Sequence, residues 1–194
     1  MIPLLLKIAY TVASMAIVVI YWRKYGPGNF LWLCDIALIV LIPAIWLESA
    51  LLVSMMAVSI LVPELIWNLA FWARLLVGIR VAGVIDYMYE PDRPVLLKAL
   101  SLFHVPLPIL LIWLLSQLGY DSRALWMTAA MTWTVLPATW LLTPPRRNVN
   151  WVHGPGGEGA RQRRVHPLIY LGLVMLMVPL VFHLPAHLLL DLLF

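Results

Sequence analysis

Three ionisable side chains, Asp35, Glu64 and His104, interrupt long apolar stretches of this sequence. Two carboxylates beside a histidine can relay protons, hold a metal ion or perform acid–base chemistry on a bound lipid. Alternatively, each side chain is satisfied singly, by a backbone group or by an arginine such as Arg74. We predict that the three form one shared polar site, and we treat them as candidate catalytic residues.

Cys34, the only cysteine of the chain, offers a second chemistry. With His104 as its base it would be a nucleophile for acyl transfer. A buried cysteine can equally be a small apolar side chain. His104 also has a structural alternative, because Pro106 and Pro108 lack amide hydrogens and free the carbonyls at about positions 102 and 104.

The loop sequence RRNVNWVHGPGG at 146–157 is the candidate head-group site. Arg146 and Arg147 could bind the phosphate of a cytoplasmic-leaflet lipid, with Asn148 and Asn150 beside them. The alternative is a cationic anchor followed by a flexible turn. GPGGEG has neither the Gly-Lys-Ser/Thr ending of a phosphate loop nor the spacing of a dinucleotide loop.

His183, His187 and Asp191 recur every four residues near the end of the chain, and so share one helix face. A metal site would need such a face, but Pro185 lies between the two histidines. We interpret these residues as polar groups that cap the last apolar segment at the membrane interface.

The composition indicates that membrane-spanning helices position these residues. Hydrophobic residues make up 63% of the 194, charged residues only 11%, and the mean hydropathy is +0.94. A soluble domain needs more charge on its surface. The formal charge of +4 does not indicate nucleic-acid binding, because the basic residues lie in short loops between apolar runs.

A helix needs roughly 20 apolar residues to cross the hydrocarbon core of a bilayer. The sequence therefore predicts an all-α, polytopic membrane helix bundle, with residues 1–194 as one transmembrane domain of about six spans. We expect the first span to be retained instead of cleaved as a signal peptide. The six predicted spans are 3–22, 30–47, 50–70, 95–116, 124–142 and 167–190.

Lysine and arginine are distributed unevenly between the loops that join these spans. The first, third and fifth loops carry eleven of them, and the second and fourth carry only Arg123. Cytoplasmic loops hold the excess of positive charge, so both termini are predicted on the outer side.

Residues 71–89 allow two interpretations of this topology. The segment is apolar enough for a seventh span, but Arg74, Arg80 and Asp86 point in three directions on a helix. We favour a re-entrant or surface-lying cytoplasmic segment, broken at Gly78 and Gly83.

The predicted topology gives each candidate residue a depth. At 1.5 Å per residue, Asp35 and Glu64 lie about 8 and 9 Å from the cytoplasmic ends of their spans, and His104 about 13 Å. All three therefore fall in the cytoplasmic half of the bilayer, which motivates the shared site. Polar residues at similar levels are Asn29, Cys34, Asn68 and Ser101.

Several strings of this sequence together resemble a group of uncharacterised bacterial integral membrane proteins of about this length. The resemblance implies the bacterial inner membrane and no particular activity. It rests on GPGNFLWLCD at 26–35, LSLFHVPLP at 100–108, LGYD at 118–121, NVNWVHGPG at 148–156 and LPAHLLL at 184–190.

A fainter likeness is to the integral membrane acyltransferases of ether phospholipids, which also place a cysteine in an early span and a histidine in a later one. Cys34 and His104 carry it here. DYMYEP at 86–91 is similar to a motif of their bacterial relatives, but it precedes His104 instead of following it.

These observations lead to a hypothesis of a multi-pass protein that binds or modifies a lipid or other apolar substrate at a polar site in the cytoplasmic half of the bilayer. The alternatives are a proton- or ion-coupled transporter and a structural subunit of a larger membrane complex. We expect membrane lipids as partners. The sequence is also compatible with a membrane-protein partner or a homo-oligomer. The sequence leaves the cofactor open.

Overall fold

The chain folds into a bundle of helices. The structure is a computed structural model that describes residues 1–81 and 83–194, and it has no strand within those ranges. Its α-helices are α1 (Leu4–Tyr25), α2 (Leu33–Trp46), α3 (Ala50–Val77), α4 (Val95–Ser101), α5 (Pro106–Leu118), α6 (Ala124–Leu142), α7 (Pro167–Val178) and α8 (Leu184–Leu193).

Two pairs of these helices form continuous rods. A 3₁₀ turn, Leu102–His104, joins α4 to α5, and a π-helical segment, Pro179–His183, joins α7 to α8. The described residues therefore contain six helical rods, in agreement with the expected all-α fold of about six spans. Four of them, namely α1, α3, α4–α5 and α7–α8, are long and apolar enough to cross a membrane. The protein is accordingly a multi-pass membrane protein.

Helix α3 lies at the centre of the bundle. It packs against α2, α5, α6 and α8, and the run from Val53 to Leu61 is buried on every side. A helix that is apolar all round is stable only inside a protein or a membrane. In contrast, α1 and α7–α8 expose most of their apolar residues, as expected of helices that face lipid.

Helix α3 is longer than the sequence predicts, because it continues past Ala70 to Val77. It ends at Gly78, whose φ of +74° lies in the left-handed region that glycine adopts without strain. After it come a loop and a short 3₁₀ helix, Asp86–Tyr89. The described part of 71–89 thus completes α3 and adds no further membrane-crossing helix.

Candidate functional site

Glu64 and His104 form a direct pair inside the bundle. The Nδ1 atom of His104 lies 2.8 and 2.9 Å from the two carboxylate oxygens of Glu64. Glu64 is 2% exposed on α3, and His104 ends the 3₁₀ turn between α4 and α5. The structure thus brings together two of the three predicted site residues.

Asn68 fixes this pair through the backbone. Its Nδ2 donates to the carbonyl oxygen of Glu64 at 2.9 Å and to that of His104 at 2.8 Å. The second bond uses a carbonyl that the proline at position 108 leaves free, as expected from the sequence. One amide therefore ties α3 to the turn that carries the histidine.

Aromatic rings enclose the imidazole of His104. The ring of Trp67 lies 4.7 Å away between centroids and that of Phe103 4.1 Å away, both nearly parallel to it. Trp67 is itself held, because its Nε1 donates to the hydroxyl of Tyr87 at 3.0 Å. The imidazole therefore has little freedom to rotate away from Glu64.

Cys34 and Asp35 begin helix α2 beside this pair. The Cys34 Sγ, one carboxylate oxygen of Glu64 and one ring nitrogen of His104 all lie within 4.8 Å of one another. Asp35 is 3% exposed. Its direct partner is Asn29, whose Nδ2 donates to Asp35 Oδ2 at 2.6 Å.

Arg147 connects the loop between α6 and α7 to this arrangement. Its Nη2 donates to Asn29 Oδ1 at 3.0 Å and its Nη1 to the carbonyl of Tyr25 at 2.9 Å. A chain of hydrogen bonds therefore runs from Arg147 through Asn29 to Asp35. The guanidinium that the sequence suggested for a lipid phosphate is used inside the protein.

The two predicted head-group asparagines are also structural. Asn148 is fully buried, and its side chain bonds the backbone of its own loop at positions 153, 154, 156 and 157. Asn150 donates to the carbonyl of Leu31 at 2.6 Å and accepts from the amide of Leu33 at 3.2 Å. The loop expected to be flexible is thus pinned at both asparagines, and Arg146 is the one exposed residue of the predicted head-group set.

The arrangement allows three kinds of chemistry. A histidine oriented by a carboxylate is a general acid or base. A thiol beside such a histidine is a candidate nucleophile. A cysteine, a glutamate and a histidine are also ligands that zinc accepts, with a fourth position left open in catalytic sites.

Two cavities lie beside this site. An apolar cavity of about 140 Å³ opens between α1, α2 and α5, and Tyr10, Leu38, Phe103 and Leu110 help to line it. Phe103 separates it from His104, whose ring it contacts. Asp35, Glu64 and His104 line neither this cavity nor the second one, at the α6–α7 end of the protein.

The histidines near the end of the chain have separate environments. His187 Nδ1 lies 2.6 Å from the hydroxyl of Tyr120. His183 is fully buried in the π-helical segment and has no hydrogen-bond partner among the described residues. The expectation of interfacial capping is therefore wrong for His183, because the extra residue of the π-helical turn directs it into the bundle.

No protein-family model matches this sequence, and no curated protein or solved structure matches it either. Fold and site therefore define a class only: an integral membrane helix bundle with a buried carboxylate–histidine pair.

Proposed function

We propose that this protein modifies a lipid, or another apolar substrate, at the Glu64–His104 pair in the cytoplasmic half of the bilayer of a bacterial inner membrane. The observation that carries the proposal is the 2.8 Å contact between His104 Nδ1 and the Glu64 carboxylate. Buried acid–base pairs of this kind are costly at membrane depth and are usually functional. Both termini lie on the outer side in this proposal.

The roles of the two residues follow from their contact. An ionised Glu64 accepts the Nδ1–H bond, which places the basic lone pair of the neutral imidazole on Nε2. His104 Nε2 then takes the proton of a substrate hydroxyl, or of the Cys34 thiol, while that oxygen or sulfur attacks the acyl carbon of a lipid ester. The ester C–O bond breaks, and the imidazolium returns the proton to the departing alcohol oxygen. A Cys34 thioester formed in this way is then attacked by a second hydroxyl, which releases the thiol. Asp35 and Asn29 provide further polar groups at the start of α2, beside this pair.

The apolar cavity supports a lipid over a soluble substrate. Its lining is almost wholly apolar and it lies directly behind Phe103. The cavity would hold an acyl chain on the side of Phe103 opposite His104, and the Phe103 side chain would have to rotate to bring the polar end of that lipid to His104.

The experiment compares the lipids of host membranes that contain wild-type protein, His104→Gln or His187→Gln. Mass spectrometry should reveal a lipid species that forms with the wild type and with His187→Gln, and falls by about 100-fold or more with His104→Gln. His187→Gln is the matched control, because it removes a histidine remote from Glu64. Identical lipids in all three membranes would contradict the proposal, and a stoichiometric co-purified protein would favour a subunit role.

A second candidate is a metal-dependent version of the same chemistry. It is favoured by the mutual approach of Cys34, Glu64 and His104 to within 4.8 Å. Elemental analysis of protein purified without chelator decides between the metal-dependent site and the metal-free acid–base pair. One zinc per chain that is lost in both Cys34→Ala and His104→Gln supports the metal site, whereas no metal in the wild type leaves the acid–base pair.

A further inference from the structure

The second cavity of the protein lies where α6 ends and α7 begins. Its volume is about 230 Å³, and the side chains that line it include Trp140, His153, Arg161, Gln162, Pro167 and Tyr170. Trp140 is near the end of α6 and Tyr170 near the start of α7. Tryptophan and tyrosine at helix ends mark the level of lipid head groups.

Two polar groups of this cavity have no partner in the described residues. The Nε2 atom of His153 is buried and makes no hydrogen bond. The Arg161 side chain forms no ion pair within residues 1–81 and 83–194. Burial and the nearby positive charge of Arg161 lower the pKa of His153 below its usual value. The two groups thus line the same cavity as neighbours.

The backbone of the cavity is rigidly built. Asn148 Oδ1 accepts from the His153 amide at 2.9 Å, and the His153 carbonyl accepts from the Gln162 amide at 3.0 Å. On the other wall, the Tyr170 hydroxyl donates to the carbonyl of Trp151 at 3.1 Å. These bonds fix the backbone at His153 and Gln162, and the exposed Arg161 guanidinium lies at the rim of the same cavity, within reach of an anionic oxygen group bound beside the imidazole.

The surrounding charge and apolar surface indicate the source of that anion. The loop 143–166 holds five arginines and one glutamate, so its formal charge of +4 equals that of the whole chain. Below it the ends of α6 and α7 expose Leu141, Leu142, Leu168 and Ile169. A free anion would use only the charge, whereas a phospholipid would use both surfaces.

We infer that this cavity binds the phosphate of an anionic phospholipid of the cytoplasmic leaflet, with Arg161 and His153 on the phosphate oxygens and the acyl chains along α6 and α7. The site shares His153 with the 146–157 loop considered from the sequence, but it uses Arg161 instead of Arg146 and Arg147. It is also independent of the chemistry at His104, so each proposal can fail without the other.

Native mass spectrometry of the full-length protein in detergent, titrated with phosphatidylglycerol, tests the inference. Arg161→Gln should weaken binding by about tenfold or more, because a hydrogen bond to a charged group contributes about 1.5–3 kcal/mol. Arg163→Gln is the matched control, since it removes the same charge from an arginine outside the cavity. His153→Gln, which alters the second phosphate ligand, should also weaken binding, and His187→Gln should bind as the wild type does.

Two results would overturn the inference. Equal losses in Arg161→Gln and Arg163→Gln would mean that only the overall charge of the loop attracts the lipid. Binding of inorganic phosphate as tight as that of phosphatidylglycerol would mean that the cavity serves a soluble phosphate. Weaker binding of inorganic phosphate, with the loss confined to the cavity variants, supports the lipid site.

Discussion

Asn150 is the residue through which the loop between α6 and α7 positions the start of α2, next to Cys34. Its side chain makes two good hydrogen bonds, to the carbonyl of Leu31 at 2.6 Å and from the amide of Leu33 at 3.2 Å. Its backbone has φ +50° and ψ +21°, in the left-handed region that asparagine tolerates better than alanine. Asn150 therefore contributes through both bonding and conformation.

These two contributions can be separated by substitution. Each hydrogen bond is worth about 1 kcal/mol net, so Asn150→Gly should lower the free energy of unfolding by about 2 kcal/mol. Asn150→Ala should lower it by about 3 kcal/mol, because alanine in the left-handed region costs about 1 kcal/mol more. Thermal unfolding in detergent measures which of the two variants is the less stable.

The reactivity of Cys34 gives a local readout, since it is the only cysteine of the chain. If alkylation by N-ethylmaleimide requires local opening of α2, a loss of about 3 kcal/mol raises its rate as much as about a hundredfold. Asn148→Ala is the control, because Asn148 is also left-handed, at φ +43°, but bonds only its own loop. An unchanged alkylation rate in Asn150→Ala, or a glycine variant less stable than the alanine variant, would refute the reasoning.

The remaining predictions concern other parts of the protein. His183→Leu should raise the melting temperature in detergent, because it removes a buried polar side chain that has no partner among the described residues, which costs about 1–3 kcal/mol. His187→Leu should lower the melting temperature, because it removes the hydrogen bond to Tyr120. Equal losses in the two variants would contradict this prediction. The hydrogen bond from Arg80 holds the pKa of Asp86 below its usual value. The stability that the ionised Asp86 contributes is therefore present above about pH 4 and is lost as the pH falls through the pKa of Asp86 in the folded protein. Arg80→Gln should move that acid loss, measured by thermal unfolding, to higher pH, and an unmoved transition would count against the ion pair. A reporter fused at residue 155 should be active only in the cytoplasm, and activity outside the membrane would invert the proposed topology.

Hydropathy alone predicts most of the fold. The six apolar stretches correspond to six helical rods. An apolar segment in lipid forms a helix because a helix satisfies all its backbone hydrogen bonds within the segment. The end of α3 was missed by seven residues, since the apolar run continues smoothly from Ala70 to Val77. The π-helical segment that ends at His183 leaves no recognisable pattern in the sequence.

The candidate site was predictable in part. Depth along the spans groups Glu64 with His104, but it does not give the rotation of either helix, so their direct contact comes only from the structure. The contacts of Arg147 and Asn150 join residues more than 110 positions apart. Nothing local in the sequence distinguishes such buried contacts from a loop that binds head groups.

Cross-linking of Cys34 tests the convergence of α2 with the turn between α4 and α5 most directly. His104→Cys places a second thiol where the structure brings a ring nitrogen within 4.8 Å of Cys34 Sγ. A short thiol-specific cross-linker added to intact membranes should join these two cysteines rapidly, and should not join Cys34 to the new thiol of His187→Cys. No cross-link in His104→Cys, or equal cross-linking in both variants, would contradict the site.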